Sequence, residues 1–160
     1  MGIKAWLFGE ARQQPSTVVG EPSKRQSSRQ LPRYKVIDVP GSWTRAVTGD
    51  DHFPDAVHSL PLGPVKVTLR LKPNDANPHA VAAFVGNRQV GWLGTEWTAT
   101  DPWVEWMTRL DAARIRPRFA GVCRLHDILK YRLINFDVPG RNDEDLSAIA
   151  DRLISEVGLQ

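Results

Sequence analysis

The sequence predicts a mainly β protein: a small β-barrel with two or three helices, the last of them amphipathic. Residues 65–71 alternate apolar and polar side chains, which is the period of a half-buried strand. A loop rich in turn-forming residues separates this strand from the short apolar run 80–85. Gly86-Asn87 then stands where a tight hairpin turn needs positive φ, and residues 88–93 return as a third strand.

The segment before this three-strand unit predicts two further strands and a short helix. Residues 34–39 and 42–47 are expected to be strands, broken by Pro40-Gly41. Residues 53–60 are expected to form a short helix, because their apolar side chains recur on one side.

The segment after the unit predicts a helix followed by two strands. Asp101-Pro102 supplies an N-cap and a first-turn proline, and apolar residues at helical spacing follow from Trp103. Residues 114–125 and 130–138 are expected to be strands. Pro117 argues for an edge strand or a bulge in the first of them.

A C-terminal helix is predicted to start at Asn142 or Asp143, where acidic residues suit its positive end, and to stop at Gly158. One apolar stripe runs along it. The stripe consists of Leu146, Ile149, Leu153, Ile154 and Val157. We expect residues 139–160 to pack on the domain or on a partner.

Composition places the chain among ordinary globular proteins. A chain of 160 residues supports one domain that buries roughly two-thirds of its unfolded surface. No run reaches the roughly 20 apolar residues of a membrane span, and the N terminus shows no signal-peptide pattern. The single cysteine, Cys123, allows no internal disulfide and is expected to be a buried, inert thiol. These features favour a reducing, cytoplasmic location and no membrane partner.

Positive charge is concentrated at the N terminus. The net charge is +3, and residues 1–33 hold six basic and two acidic residues, a net of +4, so the other 127 residues sum to −1. We expect a flexible basic arm over 1–33, a β-barrel domain over 34–138 and the C-terminal helix beyond it. The arm is either a solvated linker, a segment attracted to phosphates, or one that orders against a partner subunit.

The order of strand, loop, hairpin and strand in residues 65–94 resembles the HIRAN domain. This is a small OB-like or SH3-like β-barrel of some Swi/Snf-type remodelling ATPases and of stand-alone prokaryotic and phage proteins. Residues 77–83 stand in for part of the family's loop pattern, and residues 90–93 for its V-G-Y-L motif. A weaker match lies at 39–43. The resemblance covers roughly residues 36–125.

The resemblance implies binding of the 3′ end of single-stranded DNA, with the loop capping the terminal hydroxyl and aromatic rings stacking on the last bases. At the family's ligand positions this chain has other residues. The loop tyrosine falls at Ala76, the loop aspartate at Asn77 and the following asparagine at His79. The family's tandem aromatics fall near residues 44 and 45, where Trp43 is the nearest ring.

Aromatic and basic residues are therefore the candidate binding groups, because single-strand binders stack bases on rings and contact phosphates with cations. Trp43 and Trp97 are the preferred stacking residues, while Trp92 belongs either to the core or to the ligand site. Three arginines at alternate positions of the strand 114–125 form either a phosphate track or a solvated face. The candidate nucleic-acid-binding residues are Trp43, Arg45, Lys72, Asn74, Asn77, His79, Arg88, Trp92, Arg114, Arg116 and Arg118.

Enzyme signatures are missing from the sequence. The four histidines have no metal-ligand spacing, and the chain has no phosphate-binding glycine loop or nucleophile elbow. The leading hypothesis is a non-catalytic protein without cofactor or metal that binds single-stranded DNA, with a separate helicase or nuclease as a possible partner. The alternative is an assembly or interaction protein, for instance phage-derived, that self-associates through the arm and the C-terminal helix.

Overall fold

The computed structural model describes residues 33–94, 101–128, 130–140 and 143–158, with the side chains of 143–145 left aside. The predictions for the basic arm before Arg33, for Trp97 and for a helix start at Asn142 lie outside the described residues. No helix in the described ranges is both long enough and apolar enough to cross a membrane.

Within these ranges the protein is mainly β, as predicted, and every predicted element is present with ends shifted by a few residues. The strands are β1 (Lys35–Asp38), β2 (Trp43–Ala46), β3 (Gly63–Leu71), β4 (Val81–Val85), β5 (Arg88–Trp92), β6 (Ile115–Leu125) and β7 (Arg132–Val138). The helices are α1 (Pro54–His58), α2 (Pro102–Ala112) and α3 (Asp143–Gly158), with a 3₁₀ turn at Asp50–His52.

The strands form one curled sheet in the order β2-β7-β6-β3-β4-β5, in which neighbours are antiparallel, and β1 pairs with β6 in parallel. One antiparallel bridge joins the segment after β2 to β5. In it, Thr48 and Trp92 exchange backbone hydrogen bonds of 2.9 and 2.8 Å. The sheet is thus a half-barrel whose two outer strands meet at a single point.

Strand β6 lies inside the sheet, but at Pro117 it is paired on one side only, so the expectation of an edge position holds there. The β3 ladder ends where Thr68 faces Arg118, and Pro117 pairs only with β1. The carbonyls of Arg114 and Arg118 accept from β1, so the backbone groups of Pro117 point to the β3 side. The missing N–H of the proline therefore falls where no ladder bond is needed.

The core lies between the inward face of the sheet and the two longer helices. The Asp101 carboxylate accepts from the Trp103 N–H at 2.8 Å and begins α2 as the sequence predicts. Trp106 of α2 packs on Phe119 of β6 at 6.2 Å between ring centroids, and Phe119 on Phe136 at 5.9 Å. Helix α3 packs on α2. Its buried residues are Leu146, Ala150 and Leu153.

Candidate nucleic-acid interface

The outward side of the half-barrel carries a cluster of basic and aromatic side chains, here called the basic face. Val67 and Leu69 of β3 are fully buried, so the residues that alternate with them point outward. Cross-strand pairing places the outward residues of β4, β5 and β6 on the same side. The basic face comprises Lys66, Arg70, Lys72, Phe84, Trp92, Arg116 and Arg118.

Arg70 has an unusual environment for a surface arginine. Its guanidinium carbon lies 3.9 Å from the centroid of the Phe84 ring. Its Nε is buried and has no hydrogen-bond acceptor in the described part of the chain. Burial, and then the charge of Arg116, lower the pKa of Arg70, although the group remains protonated at neutral pH. Arg70 is thus a partly buried cation with one unused hydrogen-bond donor.

Arg116 and Arg114 are held by one aromatic ring. The guanidinium carbon of Arg116 lies 3.9 Å from the Tyr34 ring centroid, and that of Arg114 lies 5.1 Å away. Arg114 also donates to the Tyr34 hydroxyl, which in turn donates to Asp111. Tyr34 therefore fixes the direction of both arginines at the margin of the basic face.

The prediction that three arginines stand at alternate positions of one strand is wrong for Arg114. Arg114 precedes β6 and has a positive φ of 58°, because it completes the turn that links α2 to the strand. Its N–H bonds the carbonyl of Asp111 in that turn. Arg116 and Arg118 do lie on β6 and point outward together.

Arg118 is paired with an acidic neighbour. Its guanidinium donates to both oxygens of Asp38 at 2.9 and 2.8 Å, and Lys66 approaches the same carboxylate at 3.3 Å. The hydrogen bond from Arg118, stronger in effect than burial or Lys66, lowers the pKa of Asp38 to about 2. Among the described side chains, no carboxylate lies within ion-pair distance of Arg70 or Arg116.

Asp38 predicts a pH dependence of stability. Its pKa is lower in the folded chain than the usual 3.8, so its stabilising effect is present above about pH 4 and is lost as the pH falls toward 2. Asp38→Asn is expected to lower the free energy of unfolding at pH 7 by less than about 1 kcal/mol, because the pair is exposed. Urea unfolding of the wild type and of Asp38→Asn at several pH values measures this difference in the free energy of unfolding. A difference between the two proteins that persists unchanged at pH 2 contradicts the assignment.

The loop after β3 is shaped by its own asparagines. The Asn74 Oδ1 accepts from the N–H groups of Ala76 and Asn77 at 3.0 and 2.8 Å. The Asn77 Oδ1 accepts from the N–H of the half-buried His79 at 2.9 Å. Both predicted ligand amides thus use their oxygens to build the loop, in the manner of Asx turns.

Beside this loop lies a groove of about 280 Å³ with one aromatic wall. It is lined by Gly49, His52, Asn74, Ala76, Asn77, Ala80, Trp92 and Gly94. The half-buried Trp92 ring forms the wall and packs on Phe53 with ring centroids 6.3 Å apart. The Lys72 Nζ lies 6.0 Å from the centroid of the Trp92 ring and donates to the Gln89 amide oxygen at 2.6 Å. The groove therefore combines a flat apolar surface with a cation at its rim.

Trp43 and Arg45 lie away from the basic face. They pair with Val138 and Phe136, which are buried, so both face inward, and the Arg45 guanidinium lies 4.9 Å from the Trp43 ring centroid. Trp43 lies five positions before Thr48, the bridge partner of Trp92. At about 3.3 Å per residue, the two tryptophan positions are roughly 16 Å apart.

Arg88 also lies elsewhere, because it pairs with Val85 on the inward-facing side of the hairpin and donates to Ser59 after α1.

The sequence candidates did not include Arg70 or Phe84. The alternation that turns Lys72 outward also turns Arg70 outward, so the signal for Arg70 was present. Nothing local marks Phe84 as the ring beneath Arg70, because their contact spans two strands.

The described residues bring together no group of three or more histidine, cysteine, aspartate or glutamate side chains that could hold a metal ion. Cys123 is buried, and burial raises the pKa of its thiol.

Fold and surface together define a barrel-like β protein with a basic outer face. No protein family, curated protein or solved structure matches the chain in sequence or fold comparison.

Proposed function

We propose that this protein binds single-stranded DNA through the basic face, without catalysis. The observation that carries the proposal is the pair Arg70 and Arg116: two outward guanidiniums on neighbouring strands, with no carboxylate partner among the described residues. Like charges on adjacent strands are unfavourable unless an anion lies against them. The phosphate backbone of a nucleic acid supplies such anions.

The groove supports a single strand over a duplex. Arg70 pairs with Ala82, and Ala82 with Trp92, so the three residues form one row across the sheet. With strands roughly 4.8 Å apart, Arg70 and Trp92 are about 10 Å apart at their backbones. One strand can place a phosphate on the arginine and an unstacked base on the ring, which contributes about 1–3 kcal/mol per base. Bases inside a duplex are already stacked and do not reach such a ring.

We also propose that the half-barrel is a HIRAN-like, OB-like fold, on the strength of the loop and hairpin order in residues 65–94. In this proposal Asn77 is a weaker partner for a 3′ hydroxyl than the family's aspartate, because it carries no charge and its oxygen already accepts from the His79 N–H. Binding strength comes instead from phosphates and stacking. A separate helicase or nuclease partner, self-association and a cytoplasmic location stay predictions.

Fluorescence anisotropy with a labelled 12-nucleotide oligothymidylate, and with the same strand in a duplex, tests the proposal at two salt concentrations. We expect the single strand to bind at least tenfold tighter than the duplex, and its affinity to fall with salt as phosphate contacts require. Equal affinity for both forms would remove the role of the groove. No binding to either form at low salt would end the nucleic-acid proposal and favour the assembly role.

A further inference from the structure

We propose that the pair Arg70 and Arg116 is a binding site for a terminal phosphate monoester of the strand, beyond a general contact with its backbone. This inference rests on the proposed function. Arg70 of β3 and Arg116 of β6 supply the site. They lie 46 positions apart in the chain, on neighbouring antiparallel strands. It is defined by these two guanidiniums together with Phe84 and Tyr34, the rings on which they lie.

The position of the two arginines follows from the end of the β3–β6 ladder. Its last pair is Thr68 with Arg118. Arg70 lies two residues beyond Thr68, and Arg116 lies two residues before Arg118, so they are the next outward-facing residues on the two strands. Because the strands no longer exchange hydrogen bonds here, the two guanidiniums flank an opening in the ladder.

Both guanidiniums are oriented before any ligand arrives. Arg70 lies 3.9 Å over Phe84, and Arg116 lies 3.9 Å over Tyr34. A ring against the flat face of a guanidinium leaves its N–H edges available for in-plane donation to oxygen, which is the geometry of bidentate phosphate recognition. The Arg70 Nε–H is buried without an acceptor in the described part of the chain, so a side-chain adjustment that lets a phosphate oxygen reach it would remove the cost of an unsatisfied donor.

Charge balance favours a monoester over a diester. A terminal phosphate carries a charge of about −1.5 to −2 at pH 7 and offers three free oxygens. An internal diester carries a single negative charge, so it would neutralise only one of the two guanidiniums. Asp38, the carboxylate on the adjacent strand β1, is held by Arg118 and Lys66 and does not supply the missing charge.

Three 12-nucleotide strands of one sequence test the inference by anisotropy: one with a 5′ phosphate, one with a 3′ phosphate and one with hydroxyls at both ends. We expect at least one phosphorylated strand to bind at least tenfold tighter than the strand with hydroxyls at both ends. The strand that binds tighter shows whether the site takes a 5′ or a 3′ phosphate. Arg70→Gln and Arg116→Gln should each reduce this preference below threefold. Arg88→Gln, on the other side of the sheet, should leave it unchanged.

Equal affinity of all three wild-type complexes would overturn the inference and leave single-strand binding intact. A preference that survives both glutamine variants would also overturn it, because the phosphate would then bind elsewhere. Loss of all strand binding in the wild type would refute the proposed function, and the second measurement below would still decide the inference.

The second measurement follows the Arg70 Nε–H resonance by NMR during titration of the whole chain with inorganic phosphate, and separately with dimethyl phosphate, which carries one charge. We expect inorganic phosphate to produce a saturable shift. The affinity for dimethyl phosphate should be at least tenfold lower than the affinity for inorganic phosphate. The Arg116→Gln variant should lose the difference between the two anions. No shift, or equal affinities, would overturn the assignment of a monoester site.

Discussion

Replacing both Arg70 and Arg116 with glutamine is expected to weaken binding of an unphosphorylated single strand by about ten- to a hundredfold at low salt. The physical reason is the loss of two phosphate contacts and of the counterions that they release. The slope of log affinity against log salt should therefore fall by about 1.4, at about 0.7 per contact for a single strand. Anisotropy titrations over a range of salt concentrations measure both effects.

Arg88→Gln is the matched control for this prediction. It removes the same charge from the same half-barrel, but Arg88 pairs with Val85 on the other side of the sheet and donates to Ser59. Its affinity and salt slope should stay close to those of the wild type. If Arg88→Gln weakens binding as much as the double variant, binding depends on total charge and the basic face is not the site.

Replacing Gly91 with alanine is expected to lower the free energy of unfolding by about 3 kcal/mol. Gly91 has a φ of 153°, and a Cβ there would meet the Val47 side chain and lie 2.6 Å from the Thr48 carbonyl oxygen. Thr48 makes the bridge with Trp92 that joins the outer strands. The substitution therefore strains the backbone and pushes β5 away from Thr48, where the two ends of the half-barrel meet.

Gly63→Ala separates these two causes. Gly63 also has a positive φ, 112°, but a Cβ there would meet nothing within 4 Å. It should cost about 1 kcal/mol from backbone strain alone. Urea unfolding of both variants, followed by far-UV circular dichroism, gives the difference. Equal losses in the two variants would mean that the close approach at Thr48 does not matter for stability.

Strand and helix positions were largely predictable because their signals are local. The alternation in residues 65–71, the turn at Gly86-Asn87 and the cap at Asp101 each depend on neighbours within a few residues. Other features depend on distant partners. The sequence does not show that β3 leaves β6 before Pro117 while β1 pairs with that part of β6 in parallel. Nor does it show that the side chain of Trp43, a stacking candidate, lies on the inward face of β2.

The candidate site was predictable in part for the same reason. The candidates Lys72, Trp92 and Arg116 lie on one face, because alternation along a strand fixes which side chains point outward. Arg118 was a candidate as well, yet its pairing with Asp38 depends on the register of β1 against β6, 80 residues apart in the chain. Asn74 and Asn77 lie in the loop beside the groove, as their place after β3 suggested. Their side-chain oxygens accept hydrogen bonds from backbone N–H groups of the same loop.

The sequence by itself determined the mainly β fold class, the order of the elements and the outward direction of residues in regularly alternating stretches such as β3. Only the tertiary structure decided that β6 lies between β3 and the pair β1 and β7, and that the outer strands meet at Thr48 and Trp92. The physical reason is that periodicity is a local property, whereas strand neighbours and register depend on packing between residues far apart in the chain. For that reason Arg70 and Arg116 become one site only in the folded chain.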